Sequence, residues 1–250
     1  MRLTSEPVIE VSNLTKIFDR QAVAVDDISF RVFRGELLGF LGPNGAGKTT
    51  TIAMLLGIIT RTRGQIRLLG QPMPQRRRDV LARVNFSSPY VALPYDLTVW
   101  ENLVVYGHLY HVGDLRLTIN RLAETFGVGH LLHKRTGRLS SGEIARVNLV
   151  KVFLNDPEIL FLDEPTAALD PEAADTVRSL LMRLKQEQSL TIFYTSHNMR
   201  EAERLSTRII FLHRGRIVAD GPAREVVAKY GKADLEEFFV ELARSERVAR

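Results

Sequence analysis

A glycine-rich segment that contains one lysine is the part of this sequence best suited to bind phosphate. Its glycines let the backbone curl so that several N–H groups point inward, and the helix expected from Lys48 onward adds its positive end. Lys48 offers a positive charge to the β- and γ-phosphates of a nucleotide, and Thr49 offers a hydroxyl to Mg²⁺. The spacing favours this interpretation over an ordinary glycine turn. The expected nucleotide contacts are Gly42, Pro43, Asn44, Gly45, Ala46, Gly47, Lys48, Thr49 and Thr50.

Three further polar residues follow apolar runs that have the length of buried strands. Asp163 ends such a run, where a carboxylate is expected only if it serves a buried cation, and Mg²⁺ is the natural candidate. Glu164 could polarise an attacking water as general base, or else accept hydrogen bonds from backbone N–H groups in a turn. His197 could hydrogen-bond the γ-phosphate or hold that water, although a lone histidine is more often structural. The catalytic candidates are Glu164, His197 and Lys48.

The segment Leu139-Ser140-Ser141-Gly142-Glu143 lies between the glycine loop and Asp163 in the sequence. Ser140 with Glu143 three residues later is a capping box, in which each residue satisfies a free backbone N–H group of the other at a helix start. Taken alone this is an ordinary helix start. Its place between two halves of a phosphate and magnesium site points instead to an ATPase whose site is shared between two subunits.

Composition sets the broad class of the protein. The chain has 250 residues, of which 45% are hydrophobic and 25% charged, as expected for one folded domain over residues 1–250. It has no cysteine, which excludes disulfides and thiolate metal sites and fits the cytoplasm. No apolar run approaches the ~20 residues of a membrane span. The net charge of +5 reflects 34 basic against 29 acidic residues, and we expect no nucleic acid partner.

The elements that must position these residues alternate between strands and helices. Runs at 8–11, 28–32 and 36–41 indicate strands, and the pattern from residue 48 to 57 is helical. The stretch from about 97 to 153 is helical with few strand signals. Runs at 158–162, 190–194 and 208–212 then alternate with helical stretches, which indicates an α/β fold with a mostly parallel sheet. Ligands of such sheets bind at the carboxyl ends of the strands, where the glycine loop, Asp163, Glu164 and His197 are all expected.

Together these motifs resemble the nucleotide-binding subunit of ABC transporters. The resemblance runs in order over almost the whole chain, through the glycine loop, Leu139–Glu143 with Arg146 on its helix, Asp163-Glu164, Ala168-Leu169-Asp170 and His197. It implies a P-loop NTPase (RecA-like) core over residues 1–89 and 157–250, with an N-terminal antiparallel β subdomain. It also implies an inserted helical subdomain over residues 90–156 that carries the signature motif at Ser140.

The resemblance implies ATP and Mg²⁺ as ligands, with Phe18 in the position of the aromatic that stacks on adenine. Taken alone, Phe18 would more often be a core residue. In a head-to-tail dimer, Ser140 and Gly142 would face the γ-phosphate bound by Lys48 of the partner subunit, and Asp170 would lie at the same interface. The second subunit would be an identical chain or a homologous ATPase. Integral-membrane permease subunits would be the other partners, with the chain peripheral on the inner face of the cell membrane.

Two departures from the family pattern stand out. The family signature usually contains two glycines and a glutamine. In this chain Ser141 replaces one of the glycines and Glu143 replaces the glutamine, and we assign Glu143 to the capping box. After residues 83–86 the family supplies a glutamine that touches the magnesium shell, whereas this chain has Ser87-Ser88-Pro89-Tyr90. Our hypothesis is that Ser88 or Ser87 contacts the metal through a water, with weaker coupling to the membrane partner.

The leading interpretation is an ATP-hydrolysing motor that drives a separate permease. The alternatives are a soluble relative in repair, translation or cofactor assembly, and a partner that binds ATP without turnover. An apolar stripe near the end of the chain indicates a helix packed on the core and resembles the ending of ATPases for drug, lipid and polysaccharide exporters, which favours export. The stripe comprises Leu235, Phe238, Phe239 and Leu242.

Two histidine pairs, at 108 and 111 and at 130 and 133, are assigned to the surface or to a face that meets a partner, rather than to zinc.

Overall fold

The computed structural model describes residues 6–88, 92–167, 169–187 and 190–245. The strands are β1 (Pro7–Phe18), β2 (Ala22–Phe33), β3 (Leu37–Leu41), β4 (Arg63–Leu68), β5 (Gln71–Met73), β6 (Val84–Ser87), β7 (Ile159–Asp163), β8 (Thr191–Ser196), β9 (Arg208–His213) and β10 (Arg216–Gly221). The helices are α1 (Lys48–Leu55), α2 (Arg77–Leu81), α3 (Val99–Leu109), α4 (Leu115–Thr125), α5 (Ser141–Val152), α6 (Pro171–Glu187), α7 (Met199–Leu205), α8 (Ala223–Lys229) and α9 (Leu235–Ser245).

The chain forms two compact units. The first contains residues 1–77 and 192–250, and the second contains residues 78–191. The helical subdomain expected over residues 90–156 is a finer division, and its boundaries stay a prediction. None of the helices within the described ranges is long and apolar enough to cross a membrane.

An antiparallel sheet with the order β2-β1-β4-β5 forms one part of the first unit. Val11 lies opposite Phe30 on β2 and opposite Ile66 on β4. All three side chains are buried, because apolar residues that alternate with polar ones along neighbouring strands gather on one face of a sheet. This sheet confirms the antiparallel β layer that the family resemblance implied.

Parallel strands form the other part of the first unit. The fully buried strand β3 pairs in parallel with β8 on one side and β9 on the other, and β10 returns antiparallel to β9. A strand that is covered on both faces is expected to be a continuous apolar run, as residues 37–41 are. The rings of Phe40 and Phe193 lie 5.1 Å apart between centroids, so the core continues from β3 to β8.

The C-terminal helix α9 packs on this core. Phe238 lies edge-on to Phe211 of β9, with ring centroids 5.3 Å apart, and Leu235 is fully buried. Phe239 is partly buried against the same cluster. The stripe at helical spacing is therefore confirmed as a core-packing face, except for the Leu242 side chain, which lies outside the described residues.

The second unit combines the parallel pair β6 and β7 with several helices. Helices α3, α4 and α5 occupy the stretch that was predicted to be helical. Asn85 joins β6 to the end of α5, since its Nδ2 donates to the backbone oxygen of Val152 over 2.9 Å and to Asn155 Oδ1 over 2.7 Å. The Tyr110 hydroxyl donates to Asn85 Oδ1 over 3.2 Å. This buried network fixes the end of β6 relative to the helix that begins after Ser140.

Candidate functional site

The glycine loop connects β3 to α1, the strand–helix context that a phosphate-binding loop needs. Gly47 precedes α1 with a φ of +105°, and a Cβ at this position would lie 2.3 Å from the backbone oxygen of Ala24. Gly42 begins the loop with a φ of +150°, and its Cβ would lie 2.1 Å from the backbone oxygen of Leu212. Only glycine fits at either position, because the conformation and the close approach of another backbone both exclude a side chain.

Lys48 lies over the loop that it follows. Its residue is only 6% exposed, and Nζ donates hydrogen bonds to the backbone oxygens of Gly42 over 2.8 Å and Pro43 over 3.2 Å. Thr49 is exposed in the first turn of α1, whereas Thr51 is buried and its hydroxyl donates to the Gly47 backbone oxygen. A fixed cation, a helix N-terminus and an exposed hydroxyl therefore meet at one loop. This is an arrangement that suits a phosphate group with an associated cation.

His197 and Phe18 also belong to the first unit. Leu41 lies opposite Ser196 in the parallel register of β3 and β8, so the loop and His197 leave the same end of neighbouring strands. His197 is exposed. Phe18 ends β1 at the surface with 41% exposure, and Lys16 Nζ lies 4.7 Å from its ring centroid. Phe18 is thus not a core residue, and its ring is partly exposed at the surface.

The capping box predicted at the signature segment is confirmed. Ser140 is the N-cap of α5, and its Oγ accepts a hydrogen bond from the Glu143 N–H over 3.2 Å. In return Glu143 Oε2 accepts one from the Ser140 N–H over 2.8 Å. That backbone bond, with help from the charge of Lys134, holds the pKa of Glu143 below its usual value against the opposing effect of burial. Glu143 therefore turns back onto its own helix, as expected.

A polar cleft of about 270 Å³ brings three predicted residues together in the second unit. Ser140 and Gly142 line it from α5, and Asp170 lines it at the start of α6. Asp170 Oδ1 accepts a hydrogen bond from the Ala173 N–H over 2.9 Å and so caps α6. A Cβ at Gly142 would lie 2.9 Å from the Ala173 Cβ, so glycine lets the two helices approach at this cleft. Arg146 also lines it.

Asp163 and Glu164 follow one another at the end of β7. Asp163 is 3% exposed at the end of a strand whose residues are all buried. Glu164 is half-buried with a φ of +53°, a left-handed conformation that costs a residue other than glycine about 1–2 kcal/mol. Such strain is concentrated at functional sites, where the surrounding structure imposes it.

The face of α5 opposite the polar cleft was not anticipated from the sequence. Ser141, Ile144, Ala145, Asn148 and Leu149 line a second cavity of about 250 Å³ within the second unit. Asn148 is 8% exposed, and among the described residues its Oδ1 has no hydrogen-bond partner. Such an unpaired buried group costs about 1–3 kcal/mol. The only signal in the sequence was an asparagine at a position where helical spacing calls for an apolar residue.

The remaining predicted residues have simple positions. Ser87 is half-buried at the end of β6 and Ser88 is buried just beyond it, while Pro89 and Tyr90 lie outside the described residues. The four histidines at 108, 111, 130 and 133 are exposed. The role of Ser87 or Ser88 near a metal stays a prediction.

Comparison with known proteins identifies the family. The ABC transporter family matches residues 25–167. The Nod factor export ATP-binding protein I of Paraburkholderia xenovorans is 40% identical over 240 residues, which cover 94% of this chain and 77% of that protein. The bacitracin transport ATP-binding protein BcrA of Bacillus licheniformis is 35% identical over 215 residues, which cover 86% of this chain and 70% of that protein.

A solved structure of the ATP-binding subunit of an ABC transporter has a TM-score of 0.84 at 28% identity, over 94% of this chain and 99% of that chain. The structure of cbiO1 from Clostridium perfringens, part of an ABC transporter complex, has a TM-score of 0.81 at 25% identity, over 90% of this chain and 92% of that chain. The loop, the capped signature helix and these relatives agree, and the chain belongs to the ATP-binding subunits of ABC transporters, which are ATPases that drive transport.

Proposed function

We propose that this chain is the motor subunit of an exporter, that it dimerises head-to-tail on ATP, and that it acts on a separate permease at the inner face of the cell membrane. Its relatives are named for Nod factor export and bacitracin transport. The observation that carries the dimer is the start of α5, which presents exposed Ser140 in a polar cleft with Gly142 and Asp170.

Within one subunit, ATP is bound by the glycine loop and by Phe18. Lys48 contacts the β- and γ-phosphates, since its ammonium group is already fixed against the loop by two backbone oxygens. The exposed ring of Phe18 stacks on adenine. The residues present also fit Mg²⁺, because Asp163 is a buried carboxylate at a strand end and Thr49 is an exposed hydroxyl. Bound Mg²⁺ would neutralise charge on the phosphates.

Hydrolysis follows from the roles assigned to Glu164 and His197. Glu164 accepts a proton from a water whose oxygen attacks the γ-phosphorus, and the bond from that phosphorus to the β,γ-bridging oxygen breaks to release ADP. The left-handed backbone of Glu164 fixes the direction in which its carboxylate leaves the strand end. His197 holds the γ-phosphate or the water through its imidazole.

The second phosphate contact comes from the partner subunit. The Ser140 hydroxyl and the N–H groups at the start of α5 contact the γ-phosphate bound by Lys48 of the partner subunit. Asp170 lies at the same interface and holds the start of α6 through its bond to Ala173. ATP thus joins two subunits, and hydrolysis weakens the contact between them.

Two variants test this mechanism separately. Lys48→Ala should abolish nucleotide hydrolysis, measured as phosphate release, whereas Lys229→Ala on the exposed surface of α8 should leave it unchanged. Full activity of Lys48→Ala would refute the assignment of the loop. The second variant is Glu164→Gln, which keeps the shape of the side chain and removes the base.

Glu164→Gln should bind Mg-ATP without turnover and elute from gel filtration as a dimer. The matched control is Glu225→Gln on α8, which should elute as the wild type does and retain hydrolysis. A Glu164→Gln protein that stays monomeric at high concentration with saturating Mg-ATP contradicts the shared site. Co-purification with a membrane protein encoded by a neighbouring gene, and outward movement of its substrate, test the permease and the direction of transport.

A further inference from the structure

The cavity behind the signature helix has the properties of a ligand site. Its described lining contains no Asp, Glu, Lys, Arg or His, and most of the lining side chains are aliphatic. Leu162, Pro165 and Val177 also line it, from outside α5. Two of its lining residues, Tyr95 at 65% exposure and Ser141, are exposed at the surface. A neutral, largely apolar molecule fits such a lining, whereas a charged one would lose its hydration without compensation.

One polar group in this wall defines what else the ligand must carry. Asn148 lines the cavity, is 8% exposed, and its Oδ1 lacks a hydrogen-bond partner among the described residues. A donor on the ligand satisfies this oxygen directly or after the carboxamide turns about its last side-chain bond, which exchanges oxygen and nitrogen. Ser87 and Ser88 line the same cavity at the end of β6.

The size of the cavity limits the ligand further. Its volume is about 250 Å³, and an apolar cavity of about 150 Å³ in another protein takes up benzene. We propose that this cavity binds a small, uncharged, planar molecule of one or two rings that donates a hydrogen bond to Asn148. Indole and phenol are representative of this chemical class.

The position of the cavity links such a ligand to the signature. Ser141, Ile144, Ala145, Asn148 and Leu149 follow the i, i+3, i+4, i+7, i+8 spacing of one helix face, whereas the polar cleft lies on the other side of the helix. A bound molecule therefore changes the freedom of the helix whose first turn holds Ser140. The resulting change in ATP turnover rests on the proposed function, but binding does not.

Binding is tested on the full chain without nucleotide, by titrating indole and following the methyl NMR signals of Ala145 and Val177. We expect indole to shift both signals with a Kd on the order of 0.1–1 mM, as its few atoms allow. Benzofuran has the same shape without the N–H donor, and it should bind at least about fivefold more weakly. Absence of shifts at 5 mM indole, which is about five times the upper estimate, or equal binding of the two compounds, would overturn the proposal.

Three variants locate the site. Ala145→Leu fills the cavity and should weaken indole binding at least about tenfold, whereas Ala228→Leu on the exposed surface of α8 should have no effect. Asn148→Leu should remove the preference for indole over benzofuran. Should Ala145→Leu not fold by circular dichroism, Val177→Leu adds one methylene from the opposite wall and should also weaken binding. Indole shifts that survive these fillings place the ligand elsewhere and refute the site.

The effect on turnover is measured separately, as phosphate release at saturating indole. A change of at least about twofold in the wild type, absent in Ala145→Leu, supports regulation through α5. Indole binding without any change in turnover refutes regulation through α5. If the wild type hydrolyses no ATP in the absence of indole, that result counts against the motor function instead. The two proposals can thus fail independently.

Discussion

Replacing Glu143 by alanine tests whether the signature helix depends on its capping box. The change removes the carboxylate that accepts the Ser140 N–H over 2.8 Å and leaves the Ser140 hydroxyl in place. It also removes an ion pair with Lys134, whose Nζ lies 3.8 Å away. Glu143→Gln removes the charge but keeps an oxygen that can accept the same bond. The three proteins therefore separate the hydrogen bond from the charge.

The expected magnitude follows from these contacts. The hydrogen bond contributes about 0.5–1 kcal/mol, and a carboxylate in the first turn adds about 0.3–1 kcal/mol through the helix dipole. The ion pair adds little because the Lys134 side chain is 50% exposed, and solvent screening also reduces the dipole contribution. The higher helix propensity of alanine offsets a few tenths of a kcal/mol. We expect Glu143→Ala to lower the free energy of unfolding by about 1 kcal/mol and Glu143→Gln by about half of that.

Thermal unfolding followed by circular dichroism measures this difference, which corresponds to a decrease in Tm of about 2–4 °C for a domain of this size. Glu225→Ala is the matched control. Glu225 also occupies the third position of a helix, but Pro222 at the N-cap of α8 makes no side-chain cap bond. An unchanged Tm in Glu143→Ala, or an equal decrease in Glu225→Ala, refutes the contribution of the capping box.

The pH dependence gives a second test of the same contact. The folded pKa of Glu143 lies below its ordinary value of 4.5, chiefly because of the Ser140 N–H. Its stabilisation is therefore complete above the ordinary pKa and is lost as the pH falls through the folded pKa. The difference in stability between wild type and Glu143→Ala should shrink below pH 4.5, whereas Glu143→Gln should show no such dependence at this site. A difference that stays constant through this range contradicts the charge assignment.

Three other variants test the glycine loop, the pairing of β9 with β10, and the adenine contact. Gly47→Ala should weaken ATP binding more than tenfold and lower the free energy of unfolding by about 2 kcal/mol, since its Cβ would lie 2.3 Å from the Ala24 backbone oxygen at a φ of +105°. Calorimetry measures the affinity for ATP and urea unfolding measures the stability. Unchanged values would refute the requirement for glycine at this position. Arg208→Lys should cost about 1–2 kcal/mol in urea unfolding by losing the paired bonds to Asp220 at 2.6 and 2.7 Å, and no loss would show these bonds to be dispensable. Phe18→Ala should raise the KM for ATP about tenfold with little change in kcat, if stacking contributes about 1–3 kcal/mol; an unchanged KM contradicts the stacking role.

Local features of the fold could be predicted because neighbouring residues determine them. The apolar run of β3, the helix from Lys48 and the capping box of α5 each depend on short spacings that sequence displays directly. The strand β10 was not anticipated. Of its residues Arg216–Gly221 only Ala219 is buried, and the strand forms because Arg214 and Gly215 both take positive φ and reverse the chain after β9.

The candidate site was predictable as a set of residue types but not as a geometry. The left-handed conformation of Glu164 has no sequence signal, because the residue is not glycine and the surrounding structure imposes its backbone. The cavity at Asn148 likewise forms from segments far apart in sequence, among them Ser87 and Leu162. Such features depend on packing between elements, which periodicity along one helix or strand does not encode.

The capping box also determines how many hydrogen-bond donors the signature helix has to offer. A helix start leaves four backbone N–H groups without partners inside the helix, and here two of them, on Ser140 and Glu143, are bonded reciprocally. Within the described structure, the N–H groups of Ser141 and Gly142 have no such bond. The helix thus retains two adjacent donors at its positive end. Any anion that binds there must replace the water on these two N–H groups. The helix start therefore favours an anion that places one oxygen between two neighbouring amides over an anion whose oxygen requires three or more donors.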